Sequence, residues 1–283
     1  MLTTLCWTAN VLFAKLAVGE ISPMQLILFR WVAVVIMILP FVWAGIREHW
    51  AVIRQNIWYI GAMGALGFST FNALYYTAAE HTTGINLGII QGTMPILVLG
   101  GSLILFGTRL VPLQVTGALV TLTGAILVAI QGELQRLLTF QFNVGDLMVF
   151  VACVLYAGYT LWLKNRPDIP ALVWFSVLAI AAMLAAIPMA ITEITVSDVQ
   201  WPTTRGWVIV ALVALFPSFI AQFCFIRGVE LIGPERAGVF VNLVPVLAPL
   251  AAVAILGETL QWFHIAGLVL VLGGVWLAER FGR

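Results

Sequence analysis

Residues 240–258 read FVNLVPVLAPLAAVAILGE, two prolines and an asparagine inside a run apolar enough to live in lipid. A proline in a helix interior loses a backbone hydrogen bond and crowds the preceding turn. Lipid supplies no water to make good that loss. Sliding the sequence along itself gives these prolines a context. At an offset of 150, Pro245 falls on Pro95 in QGTMPILVL, and the same ungapped register pairs Glu230 with Glu80 and Gly238 with Gly88. It continues through Gly257 with Gly107, Gly267 with Gly117 and Gly274 with Gly124. Earlier in each half the register slips slightly, with Lys164 on Lys15 at 149 and Pro188 on Pro40 at 148. Leucines coincide by chance; glycines and prolines holding one register do not. Pro249 has only Leu99 opposite it.

The repeat sits in a chain of 283 residues, 62% hydrophobic and 9% charged, against about 25% charged in soluble domains. Apolar runs of bilayer length recur throughout. They give ten candidate spans, at about 2–18, 23–45, 56–79, 83–106, 111–131, 144–164, 170–192, 206–229, 234–256 and 261–280. The expected fold is an all-α polytopic membrane protein of ten transmembrane helices, arranged as two inverted-topology five-helix repeats. Its units are 1–131, a connecting loop 132–143, and 144–283. Five is odd, so the halves cross the membrane in opposite directions. Such inverted repeats characterise secondary transporters, which bind substrate near the midplane between the repeats.

Basic residues set the orientation. With the N-terminus in the cytoplasm, inside loops and ends hold Arg47, Arg54, Arg109, Lys164, Arg166, Arg227, Arg236, Arg280 and Arg283, while outside loops hold Arg136 and Arg205. Both termini are therefore expected in the cytoplasm, in a multi-pass protein of the cell membrane. The first apolar run begins almost at Met1 without a basic leader, so no cleaved signal peptide is expected and helix 1 reads as clipped at its start. Cys6, Cys153 and Cys224 lie singly in apolar runs and read as free thiols. A net charge of +1 without a basic cluster argues against nucleic acid as a partner.

The first helix, with Trp7 near its middle and Lys15 near its end, is followed by ISPMQLILFRWVAVVIMILP. These segments, with VPVLAPLAAVAILGE and GLVLVLGGVWLAE, resemble the drug/metabolite transporters of the EamA type. The resemblance spans the chain, each half matching one five-helix unit. It implies a ten-helix exporter of metabolites or amino acids, of the kind found in bacterial inner membranes, with a cavity between the halves.

Intramembrane polar residues are costly and start as functional candidates. The deep ones are amides: Asn10, Asn72, Gln91, Gln222 and Asn242. The repeat lays Asn72 on Gln222 and Asn242 on Gly92, beside Gln91. Aromatics follow at helical spacing, with Trp7 and Asn10 answered by Tyr156 and Tyr159, and Asn72 accompanied by Tyr75 and Tyr76. These ten residues are the expected substrate site, and Pro95 and Pro245 a paired hinge or broken helix. The alternative for the amides is helix-to-helix bonding; for Trp43, Trp50, Trp58 and Trp201 it is an interfacial aromatic belt. Lys15 is expected either to attract a carboxylate or to snorkel, and Arg30 to snorkel. The stripes Gly84/Gly88/Gly92 and Gly61/Gly64/Gly67, with the Gly117/Gly124 and Gly267/Gly274 pairs, are expected to pack helices.

No acid lies at the middle of a span, which favours facilitated efflux or exchange over proton antiport. No catalytic elbow, zinc motif or phosphate loop is present, so neither an enzyme nor a cofactor or metal is expected. The expected activity is export of neutral or aromatic amino acids by alternating access, with a small-molecule substrate, lipid as surroundings and a monomer as the working state. Other amphipathic metabolites or drugs, or a non-transporting scaffold or pore, are the alternatives. A channel would favour a continuous polar stripe on one helix, which the sequence lacks.

Overall fold

The computed structural model describes residues 2–107, 111–138, 142–225 and 243–280, the side chains of 137, 138, 279 and 280 excepted. All regular structure among them is helical. Six stretches are long and apolar enough to cross a membrane: Pro23–Glu48, Gly84–Phe106, Pro112–Ala129, Val144–Asn165, Ala171–Val196 and Thr204–Phe225. Leu2–Ala17, Val244–Leu256 and Trp262–Ala278 are shorter apolar helices.

In chain order these are α1 (Leu2–Ala17) and α2 (Pro23–Glu48), then the short α3 (Trp50–Gln55). A continuous helical run follows from α4 (Ile57–Gly64) through a π-helical segment, Ala65–Thr70, into α5 (Phe71–His81). Next come α6 (Gly84–Gln91), α7 (Met94–Phe106), α8 (Pro112–Ala129) and the short α9 (Leu134–Leu138). The later part holds α10 (Val144–Trp162), α11 (Ala171–Val196) and α12 (Thr204–Val213), which enters a second π-helical segment, Ala214–Ile220. Then α13 (Val244–Ala251) enters a third, Ala252–Leu256, before α14 (Trp262–Arg280).

Element bounds keep the spacing read from the sequence. Both α2 and α11 have 26 residues, and each contains its proline, Pro40 and Pro188. Gly107 and Gly257, 150 apart, both end a helix in the left-handed region, at φ +63° and +70°. Only glycine enters that region without a steric cost.

Lipid gives apolar side chains no reason to leave it, so helix contact here rests on close packing of small residues. The tightest seam joins α8 to α14. A Cβ on Gly117 would stand 2.5 Å from the Gly274 carbonyl oxygen, and one on Gly124 2.8 Å from that of Gly267. Each glycine thus meets the repeat counterpart of the other. Between them the Thr121 hydroxyl reaches the carbonyl of Val271, its own counterpart, at 3.4 Å. The stripe on α6 packs the same way: Gly88 faces Ala248 and Pro249, and Gly92 faces Val271 and Pro245. Gly64 and Gly67 admit α11 and Tyr159, whereas Gly61 has nothing within 4 Å. The core gathers Leu26, Ile27, Trp31, Met63, Ile90 and Leu178. Phe41, Trp43, Trp50, Trp58, Ile104 and Trp201 are exposed, an apolar exterior suited to lipid.

Candidate functional site

The centre of the structure is a hydrogen-bonded chain built around a residue expected at the interface. Arg30 stands two turns into α2 and is 6% exposed; it does not snorkel. Its Nε donates to Ser218 Oγ at 2.6 Å, and its Nη1 to Asn72 Oδ1 at 2.7 Å and to the Tyr76 hydroxyl at 2.8 Å. Tyr76 in turn donates to Asn10 Oδ1 at 2.8 Å, and Asn72 Nδ2 to the Phe68 carbonyl at 2.5 Å. Helices α1, α2 and α5 thereby meet the second π segment. The guanidinium also lies over the rings of Trp31 and Tyr76, 5.1 and 5.8 Å from their centroids.

Local sequence explains the Ser218 anchor. Pro217 has no N–H, so the Val213 carbonyl loses its usual partner four residues on. The Ser218 hydroxyl donates to that carbonyl at 2.7 Å while its oxygen accepts from Arg30. One hydroxyl serves a broken helix turn and a buried cation together.

A wall of rings adjoins this chain. Trp31 stacks on Phe68 (centroids 5.0 Å, planes 5° apart), and Phe68 meets Tyr159 at 5.3 Å. Tyr159 continues to Tyr156 at 5.4 Å, Tyr156 to Phe71 at 5.2 Å and Phe71 to Tyr75 at 5.8 Å. The buried Tyr75 hydroxyl lies beside Gln91 without a well-formed hydrogen bond, and Tyr156 lies beside Gln222.

Eight of the expected site residues therefore fall into one neighbourhood: Asn10, Asn72 and Tyr76 on the polar chain, and Tyr75, Gln91, Tyr156, Tyr159 and Gln222 along the ring wall. Trp7 packs on Phe225 at 5.5 Å and is not tied into either. Asn242 lies outside the described residues. Pro95 and Pro245 occupy the first turn of α7 and α13, where a missing N–H costs nothing. Helix 4 is interrupted just ahead of Pro95, between α6 and α7.

Polar contacts also tie helix ends to one another. Glu193 accepts from the N–H groups of Met24 and Gln25 at 3.1 and 3.2 Å, capping α2. Glu258 accepts from those of Gly84 and Ile85 at 2.7 and 2.9 Å, capping α6. A carboxylate at a helix N-terminus satisfies free N–H groups and suits the helix dipole. Lys15 donates to the Ala79 and Thr82 carbonyls at the end of α5, 2.7 and 2.8 Å away, and does not snorkel. Asp146, in the first turn of α10, is buried among Thr82 and Asn86, both of which donate to it. Arg30 and Asp146 were the unforeseen members. The visible signal for Arg30 was its place two turns inside Pro23, deeper than snorkelling requires.

A model of the EamA-like transporter family matches residues 1–130 and 143–279. The "Uncharacterized transporter YyaM" of Bacillus subtilis (strain 168) is 26% identical over 273 residues, covering 94% of this chain and 87% of that protein. The "Aromatic amino acid exporter YddG" of Ancylobacter novellus is 24% identical over 237 residues, 82% of this chain and 79% of that protein. The "Uncharacterized inner membrane transporter YedA" of Escherichia coli (strain K12) is 24% identical, covering 93% and 84%. A solved crystal structure superposes with a TM-score of 0.70 at 22% identity, covering 99% of this chain and 96% of the other. It shares the fold.

Proposed function

This chain belongs to the EamA-like transporter family, and from that premise we propose a ten-helix carrier of two inverted five-helix repeats, 1–131 and 144–283 joined by 132–143. It exports neutral or aromatic amino acids by alternating access around a central site. The observation that carries this reading is the polar chain beside a ring wall, assembled from both halves of the chain. A mostly apolar site with a few fixed hydrogen-bonding groups suits a small amphipathic solute. Two further supports are the crossed Gly117–Gly274 and Gly124–Gly267 contacts, which are what a pseudo-two-fold axis between the halves requires, and the exporter YddG among the relatives.

Trp7, Asn10, Asn72, Tyr75, Tyr76, Gln91, Tyr156, Tyr159, Gln222 and Asn242 bind substrate in this reading. The helix starts at Pro95 and Pro245 form the hinge, since interrupted helices are tolerated where they line a cavity. Both termini face the cytoplasm and the protein works as a monomer in the bilayer, with no nucleic-acid partner. The end tied by Lys15, Glu193 and Glu258 is then the outer one, and these ties hold it together.

The test is counterflow of labelled phenylalanine and leucine in vesicles containing the purified protein. Saturable exchange that falls about 10-fold or more in Asn10→Ala or Tyr159→Ala supports the carrier; loss of one buried hydrogen bond or ring contact accounts for that factor. Non-saturating flux, or none for either amino acid, would sink it. Pro95→Ala and Pro245→Ala should change turnover more than folding, and unchanged turnover in both removes the hinge.

A further inference from the structure

Arg30 carries a charge that nothing among the described residues neutralises. A guanidinium has five N–H donors. Three are used, by Ser218 Oγ, Asn72 Oδ1 and the Tyr76 hydroxyl, all uncharged acceptors. The two on Nη2 have no acceptor among the described residues, and no carboxylate there pairs with Arg30. The residue is nonetheless only 6% exposed. Removing an unpaired cation from water costs several kcal/mol, so a buried arginine left incomplete is one held ready for an anion.

We propose that Arg30 is the anchor for the carboxylate of the transported solute. A guanidinium N–H donates a charge-assisted hydrogen bond to a carboxylate oxygen, and Nη2 supplies two donors that no described residue takes. Its neighbours place the rest of the solute: Trp31, stacked on Phe68, begins the ring wall that runs to Tyr159 and Tyr156. A carboxylate at Arg30 with an aromatic or large apolar body along that wall fits the arrangement. For an α-amino group the polar chain and ring wall offer no carboxylate, only neutral amide and hydroxyl oxygens, and of these Asn10 Oδ1 and Asn72 Oδ1 already accept from Tyr76 and Arg30. The site therefore selects the carboxylate and is nearly indifferent to the amine. Its substrates are aromatic and large apolar monocarboxylates, of which amino acids are a subset. This deepens the carrier reading and rests on it.

The experiment measures thermal stabilisation of the purified protein by four probes at matched ionic strength: L-phenylalanine, phenylacetate, L-phenylalaninamide and phenethylamine. Phenylacetate is expected to bind within about 10-fold of phenylalanine, and the two probes without a carboxylate roughly 10- to 100-fold more weakly, the factor of one charge-assisted hydrogen bond. Arg30→Gln should abolish the preference, and Arg30→Lys, which keeps the charge but loses the Nη2 donors, should reduce it. If Arg30→Gln fails to fold, the wild-type ranking and Arg30→Lys decide. Equal binding of phenylalanine and its amide, or a preference surviving in Arg30→Gln, overturns the anchor. Vesicle transport of phenylalanine separates the two claims. Transport with the amide competing equally keeps the carrier and removes the anchor. Arg30-dependent phenylacetate binding without phenylalanine transport keeps the anchor and removes the amino-acid exporter.

Discussion

The two π-helical segments Ala65–Thr70 and Ala214–Ile220 stand about 150 residues apart, each within a continuous helical run, and they do different work. At the same place in each, Gly67 stands where the other has Pro217, and Phe68 where the other has Ser218. Gly67 leaves room for Tyr159, whose ring would collide with a Cβ there. Pro217 frees a carbonyl that Ser218 takes up while holding Arg30. Adjacent residues on α2 meet the two counterparts, Arg30 on Ser218 and Trp31 on Phe68. A widened helix turn is the shared device; one copy builds the ring wall and the other seats the cation. Arg30 itself aligns with Leu178 at the offset that relates α2 to α11. Scaffold features recur in both halves and the charge occurs in one.

That division can be broken at its symmetric part first. Gly117→Leu and Gly274→Leu each drive a side chain against the facing backbone, and each should cost about 3 kcal/mol, the upper end of overpacking penalties. Thermal unfolding in detergent should show nearly equal losses; one tolerated and one not would mean the seam is not two-fold. The π segments supply the next contrast. Ser218→Ala leaves Arg30 Nε unpaired and removes the side-chain bond to the Val213 carbonyl, and should cost about 2–3 kcal/mol, whereas Ser69→Ala removes one bond to the Ala182 carbonyl and should cost about 1 kcal/mol. Equal losses would deny the second segment its special load. The smallest effect belongs to the caps. Glu193→Gln and Glu258→Gln should each weaken a helix cap by about 0.5–1 kcal/mol. Amide hydrogen exchange at the starts of α2 and α6 should rise in step, and no change in either variant rules out these caps as ties.

Much of the fold was legible because glycine and proline report backbone geometry directly. Pro40 and Pro188, Gly107 and Gly257, and the α8–α14 glycines mark helix interiors, helix ends and close crossings. Eight of the amides and tyrosines picked out at helical spacing lie in one neighbourhood, since a deep polar group needs a partner inside the protein. Trp7 was legible only in part: it shares a face of α1 with Asn10, but its ring neighbour, Phe225, comes from a distant segment. Arg30 was misjudged for a related reason. Snorkelling is a property of one helix beside lipid, and whether a helix face meets lipid or protein depends on the packing of all the others.

Composition, run length and the repeat register alone fixed an apolar helical membrane protein with paired features about 150 residues apart, because lipid imposes hydrogen-bond closure within each helix and backbone geometry restricts where glycine and proline fit. Tertiary structure alone decided what the buried groups touch. Arg30, Asn72, Tyr76 and Asn10 come from three helices and Ser218 from the other half of the chain, and no local pattern encodes which acceptor a guanidinium reaches across 188 residues of sequence.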